Sequence, residues 1–128
     1  MKRNILKLGI LSIIAMTIFG CDPTYSISIQ NASNTVIEIE INENVRFNSK
    51  KEPKEKIAQG INLYELKPDE KMETGMAIAE LENDIPYNSL RISKRSHLIY
   101  AETDQEILEL FDKNIMGTLK KPYTITIK

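Results

Sequence analysis

Val36-Ile37-Glu38-Ile39-Glu40-Ile41 alternates apolar and acidic residues with a period of two. Successive side chains of an extended chain point to opposite faces. Ile37, Ile39 and Ile41 therefore share one face, and Glu38 and Glu40 share the other. β-branched residues on one side with carboxylates on the other describe a strand that has one wet face. Upstream, Tyr25, Ile27 and Ile29 alternate in the same way with Ser26, Ser28 and Gln30. The cluster Asn31-Ala32-Ser33-Asn34 between the two stretches is rich in turn formers. The pair is expected to form an antiparallel hairpin.

Working outward, residues 42–60 hold Asn42, Asn44, Asn48, Ser49, Pro53 and a run of charge, and are expected to be a long connection. Strands are expected at Ile61–Leu66, at Met76–Leu81 after Gly75, around Leu90 and Ile92, at Leu98-Ile99-Tyr100, and at Tyr123–Ile127. Lys67-Pro68-Asp69-Glu70 and Asn83-Asp84-Ile85-Pro86 read as breaks, and Gly60, Gly75 and Gly117 as isolated turn or bulge positions. One segment departs from the period of two. Thr103-Asp104-Gln105-Glu106 has capping-box spacing, and Ile107, Leu110 and Phe111 follow at helical intervals. A short helix over about residues 104–113 is expected, with a strand through Ile107 to Phe111 as the competing reading. Short strands with turn signals between them indicate a mainly β chain. The expected form is a small antiparallel β-sandwich, immunoglobulin-like or transthyretin-like, with the helix crossing between the sheets or covering an open end.

Before the first strand, Lys2 and Arg3 precede an apolar run from Leu8 to Phe19, which ends in Ile18-Phe19-Gly20-Cys21. The run spans 12 residues, and a bilayer core needs roughly 20. A positive start, a short apolar stretch and an immediate return to polarity at Asp22-Pro23-Thr24 read as a signal peptide. The competing readings are an ordinary secretory signal and an uncleaved anchor helix. Ile18-Phe19-Gly20-Cys21 resembles the lipobox of bacterial lipoproteins, although Phe19 is bulkier than the residue usual at that place. The resemblance covers residues 1–21 alone. It implies a signal-peptide helix over residues 1–20, cleavage before Cys21, a diacylglyceryl group on that sulfur, and a cell-envelope protein held to a membrane by acyl chains such as palmitate. Residues 21–24 would then be a short tether, and residues 25–128 the sandwich domain.

Cys21 is the only cysteine. If it carries lipid, neither an internal disulfide nor a cysteine metal site is available, and packing must supply the stability. The signal would take away Lys2, Arg3 and Lys7. The remaining 108 residues would hold 14 basic and 18 acidic side chains, a net charge near −4. That balance argues against nucleic acid as a partner. The absence of tryptophan disfavours an aromatic sugar-binding platform.

No set of residues points to catalysis. His97 is the only histidine, and its neighbour Ser96 would lie on the opposite face of a strand, out of reach as a nucleophile–base pair. A zinc site needs three or four ligands. Glu38 with Glu40, and Glu80 with Glu82, fit the outer faces of half-buried strands, and Asp84, Asp104 and Glu106 show no spacing that defines a cleft. No cofactor is implied. Arg46, Lys50, Lys51, Lys54 and Lys56 outnumber Glu52 and Glu55 in the long connection. They are candidates for contact with anionic lipid or with a partner, weighed against an ordinary solvated loop. Ile61-Asn62-Leu63-Tyr64-Glu65-Leu66 also looks like a strand of the lipid-anchored transthyretin-like sandwiches of type VI secretion envelope complexes. That likeness covers one strand and carries no residue role. The expected function is a non-catalytic, membrane-anchored interaction or structural module with a protein partner. The alternative is an inhibitor of an envelope hydrolase or, further off, a hydrolase.

Overall fold

A computed structural model describes residues 23–128. The lipobox, Cys21 and the expected signal-peptide helix lie outside the described residues. The chain order is β1 (Thr24–Asn31), β2 (Ile37–Glu43), β3 (Glu55–Ala58), β4 (Ile61–Leu66), β5 (Lys71–Ile78), β6 (Tyr87–Lys94), β7 (His97–Ala101), α1 (Asp104–Leu110) and β8 (Tyr123–Ile127), with a single 3-10 turn at Leu81–Asn83. A three-stranded sheet, ordered β5-β1-β8, packs over a five-stranded sheet, ordered β3-β4-β2-β6-β7. The described residues are mainly β, with two sheets, one short helix and a shared core.

The alternating residues of β2 behave as their pattern requires. Ile37, Ile39 and Ile41 are fully buried, whereas Glu38 and Glu40 remain half-buried on the outer face. Ile27 and Ile29 of β1, Tyr64 and Leu66 of β4, Leu90 and Ile92 of β6, and Ile125 and Ile127 of β8 complete the interior from both sheets. Burial of this apolar surface is the main force holding the sheets together.

β1 and β2 do not form the expected hairpin. β1 pairs with β5 and β8, and β2 pairs with β4 and β6. Alternation shows that one face of each strand is buried but does not name the neighbouring strand. The crossing between sheets is fixed at buried Asn31. Its amide nitrogen donates to the Thr35 carbonyl at 2.7 Å and to the Leu66 carbonyl at 3.0 Å. Its side-chain oxygen accepts from the Ser33 amide at 3.0 Å and the Ser33 hydroxyl at 2.6 Å. These bonds satisfy the polar groups of a corner that leaves one sheet and enters the other. The sandwich is also not wholly antiparallel, because β1 and β8 run parallel.

The strand expected at Met76–Leu81 is instead the end of β5, and Leu81 lies in the 3-10 turn. Glu80 and Glu82 therefore do not sit on the outer face of a strand. The cause is a register shift in the β1–β5 pairing, where Ile27 faces Gly75 and Ser28 faces Glu73. The bulge at Thr74 reverses the phase. Met72 and Thr74 are buried before it and Gly75 and Ala77 after it, so Met76 and Ile78 turn outward. A Cβ on Gly75 would approach the Arg46 carbonyl to 3.2 Å and the Pro86 side chain to 3.4 Å. Gly60 and Gly117 occupy turns with positive φ, at 77° and 83°.

The helix starts as expected and stops three residues early. Thr103 Oγ1 accepts from the Glu106 amide at 3.2 Å, and the same hydroxyl donates to the Glu106 carboxylate at 3.1 Å. Phe111 is extended, forms a bridge with Ile125, and the Asp112 amide donates to the Thr124 carbonyl at 2.8 Å. The competition between helix and sheet at this point goes to the sheet. α1 carries the chain from β7 to β8, between the two sheets, and buries Ile107.

Candidate functional site: the uncovered sheet edge

A five-stranded sheet is wider than the three-stranded sheet that covers it, so both of its margins overhang. The two margins are treated differently. Over β4 the inner face is sealed by the connection of residues 44–54, while the edge strand β3 beyond it keeps all four residues exposed. Phe47 packs at 5.9 Å between ring centroids from Tyr64 and 6.4 Å from Tyr87. The Asn48 amide donates to the Thr74 carbonyl at 2.9 Å, and the Lys54 amide to the Leu63 carbonyl at 2.7 Å. Residues 55–58 of the expected connection form β3 against β4.

The basic residues of this segment are drawn into that seal. Arg46 pairs with Asp84 at 2.6 Å, Lys51 with Glu70 at 2.7 Å, and Lys54 with Glu38 at 2.9 Å and Glu65 at 3.0 Å. The Lys51 ammonium beside Glu70 is the main reason that its carboxyl is held below the usual range, with help from the Lys67 amide. The Glu38 and Glu65 carboxylates push the Lys54 ammonium up. Asp84 is itself nearly buried and accepts from the Ile78 amide at 2.7 Å, so it fastens the loop to the end of β5. Lys50 and Lys56 form no ion pair among the described residues. Lys50 stands at the rim of an open depression of about 780 Å³ between this loop and β5, with Lys71 and Met76. The structure thus spreads the five basic residues over a fastened loop and an edge strand and gathers them into no single cluster.

At the opposite margin the overhang is only half filled. α1 covers Ala101 and Leu90, with Ile107 inserted beneath it. The rest of β7 is bare. Leu98 is 54% exposed, Ile99 37% and Tyr100 55%. Cross-strand pairing explains each. Ile99 lies opposite buried Ile92 and faces the interior side, where no strand of the smaller sheet covers it. Leu98 and Tyr100 lie opposite Ser93 and Arg91 and face outward. Beneath Ile99 a cleft of about 440 Å³ opens between the sheets, with a floor of Leu110, Ile125 and Ile127 and a rim of Lys94, His97 and Lys128. Among the described residues β7 pairs only with β6, which leaves the amides and carbonyls along its other edge without a strand partner there. The Glu102 carboxylate beside Tyr100 pushes that phenol up.

This arrangement can accept an extended chain. A free strand edge supplies backbone donors and acceptors and the cleft takes alternate apolar side chains, while at the basic rim the Lys94 ammonium already donates to the Lys128 main-chain oxygen. Among the described residues no three His, Cys, Asp or Glu side chains gather closely enough to hold a metal ion. His97 is exposed at the start of β7, and Ser96 lies in the preceding turn.

A second exposed feature carried no sequence expectation. Lys113 and Leu119 form a bridge that closes a small hairpin. Asn114 holds its tip: the side-chain oxygen accepts from the Met116 amide at 2.9 Å and the Thr118 amide at 3.1 Å. Ile115 and Met116 project from it, 104% and 87% exposed. Their sequence signal is an apolar pair inside a turn cluster, between Asn114 and Gly117.

No family model, curated protein or solved structure matches this chain. No helix among the described residues is long and apolar enough to cross a membrane.

Proposed function

We propose that this protein is a lipid-anchored envelope protein whose β domain is a non-catalytic binding module. Its partner is a protein that adds an extended segment to the free edge of β7. The observation that carries this reading is the coincidence of an unpaired strand edge, three exposed apolar side chains at Leu98, Ile99 and Tyr100, and an apolar cleft with a basic rim. A segment with alternate apolar residues suits that chemistry. Anchoring rests on the lipobox-like Ile18-Phe19-Gly20-Cys21 and on a tether that reaches β1 within three residues of Cys21. The same proposal includes an immunoglobulin-like or transthyretin-like kinship, supported by two packed sheets in about a hundred residues.

The test is photo-crosslinking in intact cells, with a reactive side chain placed at Leu98 or Tyr100 of the full chain. One stoichiometric adduct is expected at both positions, and Ile99→Lys should abolish it while the domain stays folded. Labelling no stronger than at Val45, an exposed residue off this edge, would remove β7 as the binding site. The anchor is tested apart from it. Cys21→Ser should yield an unprocessed or soluble protein, and normal processing with retained membrane attachment would exclude a lipid there.

A second reading, inhibition of an envelope hydrolase, is favoured by one observation. An inhibitor needs a rigid projecting loop, and the Lys113–Leu119 hairpin provides one with Ile115 and Met116 at its tip.

A further inference from the structure

The hairpin has a position as well as a shape. Phe111 lies opposite Ile125, and the Asp112 amide bonds to the Thr124 carbonyl, so residues 111–113 run antiparallel to β8, towards its first residue, Tyr123. β8 runs parallel to β1, with Tyr123 beside Ile27. The hairpin therefore leaves the sandwich at the end where β1 begins. Three contacts tie that end together. The Lys121 ammonium sits 4.8 Å from the centre of the Tyr25 ring, the Tyr123 hydroxyl donates to the Ala79 carbonyl at 3.2 Å, and the Ala79 amide donates to the Pro23 carbonyl at 2.9 Å.

Cys21 precedes Thr24, the first residue of β1, by three positions. At no more than about 3.6 Å per residue, an acylated Cys21 would bring this end of the domain to within roughly 11 Å of its lipid. The hairpin presents there an apolar pair with no cover from the described residues, held outward by the Asn114 bonds and by Gly117 at positive φ. Lys113, Lys120 and Lys121 stand on its two arms. A long lysine stem can lie along apolar material while its ammonium stays at the polar surface. Glu82 and Glu109 lie with Lys113 at the base of the hairpin, against the helix. Their charge keeps the base off an anionic surface and confines contact to the tip.

We propose that this hairpin is a bilayer contact. Ile115 and Met116 enter the boundary between headgroups and acyl chains of the membrane that carries the Cys21 lipid, with Lys120 and Lys121 at headgroup level. The inference rests on the anchor reading and adds an orientation to it. The domain is seated tip-down by two points rather than swinging on one.

Its test uses the full-length protein in vesicles of phosphatidylethanolamine and phosphatidylglycerol. Ile115→Cys is labelled with a polarity-sensitive thiol dye, and Lys71→Cys, at the opposite end of β1 beside Gln30, is the control. The dye at 115 should emit to the blue of the control and be quenched severalfold more by spin labels on the acyl chains than by aqueous iodide. A water-like, iodide-quenched emission at 115 would overturn the proposal. So would a blue shift without acyl-chain quenching, which marks burial against a second protein or a second copy. The unsubstituted chain, labelled alongside, judges the anchor separately, since an acylated Cys21 takes no dye. If it does react, the anchor reading fails, and the hairpin is judged on the same spectrum in a Cys21→Ser background.

Discussion

β2 and β7 are both rich in large apolar residues, yet one is buried and the other is bare. Ile37, Ile39 and Ile41 of β2 have no exposure at all, while Leu98, Ile99 and Tyr100 of β7 keep between 37% and 55%. Composition does not separate them. The difference is position. β2 lies in the middle of the wider sheet, flanked by β4 and β6, with the smaller sheet over its inner face. β7 lies at the margin, beyond the reach of the smaller sheet, with only part of its length under α1. The pattern of each strand agrees with its place. β2 alternates because its two faces meet different surroundings. β7 places three apolar residues in succession, which gives both faces the same character. A solvated outer face does not require that, and the proposed partner would cover it.

The largest expected contrast tests that reading directly. Ile39→Ala should cost about 2–5 kcal/mol, since it opens a cavity in a closed interior. Ile99→Ala should cost about 1 kcal/mol or less, because its site already meets solvent. Urea unfolding of the two variants measures the gap, and equal losses would mean that β7 is covered in solution, by a second copy or by a rearranged helix. Next in size is the helix that covers the inner end of β7. Thr103→Ala removes the hydroxyl that accepts from the Glu106 amide, and an N-cap of this kind contributes about 1 kcal/mol. Hydrogen exchange at Ala101 and Leu90 should rise in that variant, while the amides of β2 stay protected. Exchange that rises evenly across both strands would show that α1 is not a local cover.

The smallest effect belongs to the loop-covered margin. The Glu70 carboxyl is held below its ordinary value mainly by Lys51. Its folded pKa is lower than its unfolded one, so the pair's contribution is present above the ordinary glutamate value of ~4.3 and is lost as pH falls through the folded pKa. Both side chains are partly solvated, so the contribution should be below about 1 kcal/mol. Lys51→Met should lower stability slightly at neutral pH and flatten its decline between about pH 5 and 3. A pH profile unchanged from the parent would show that the ion pair does not fasten the loop.

How much of this was legible beforehand follows from the range of each signal. Local signals read well. The faces of β2, the start of α1 at Thr103, the turn at Lys67–Glu70 and the special glycines all depend on residues within a few positions of one another. The hairpin expected from β1 and β2 failed because adjacency in sequence stood in for pairing, and the buried bonds of Asn31 carry the chain to the other sheet. The strand expected at Met76–Leu81 failed because one extra residue at Thr74 reverses the alternation, and a bulge is defined only against a partner strand. Of the candidate site residues, Arg46, Lys51 and Lys54 turned out to be fastened to Asp84, Glu70, Glu38 and Glu65, acids up to 38 positions away. The bare edge of β7 and the Ile115–Met116 tip went unmarked because exposure is a property of what fails to cover a residue.

The amino-acid sequence alone determined that the chain is mainly β, which faces of its central strands are apolar, and where the helix after β7 begins. Those properties follow from backbone periodicity and from hydrogen bonds between near neighbours. Only the tertiary structure decided which strands pair, that three strands cover five, and therefore that a loop covers the inner face near one margin while the other stands open over a cleft. Sheet width and strand order arise from contacts between residues far apart in the chain, and no local pattern encodes the neighbour a strand lacks.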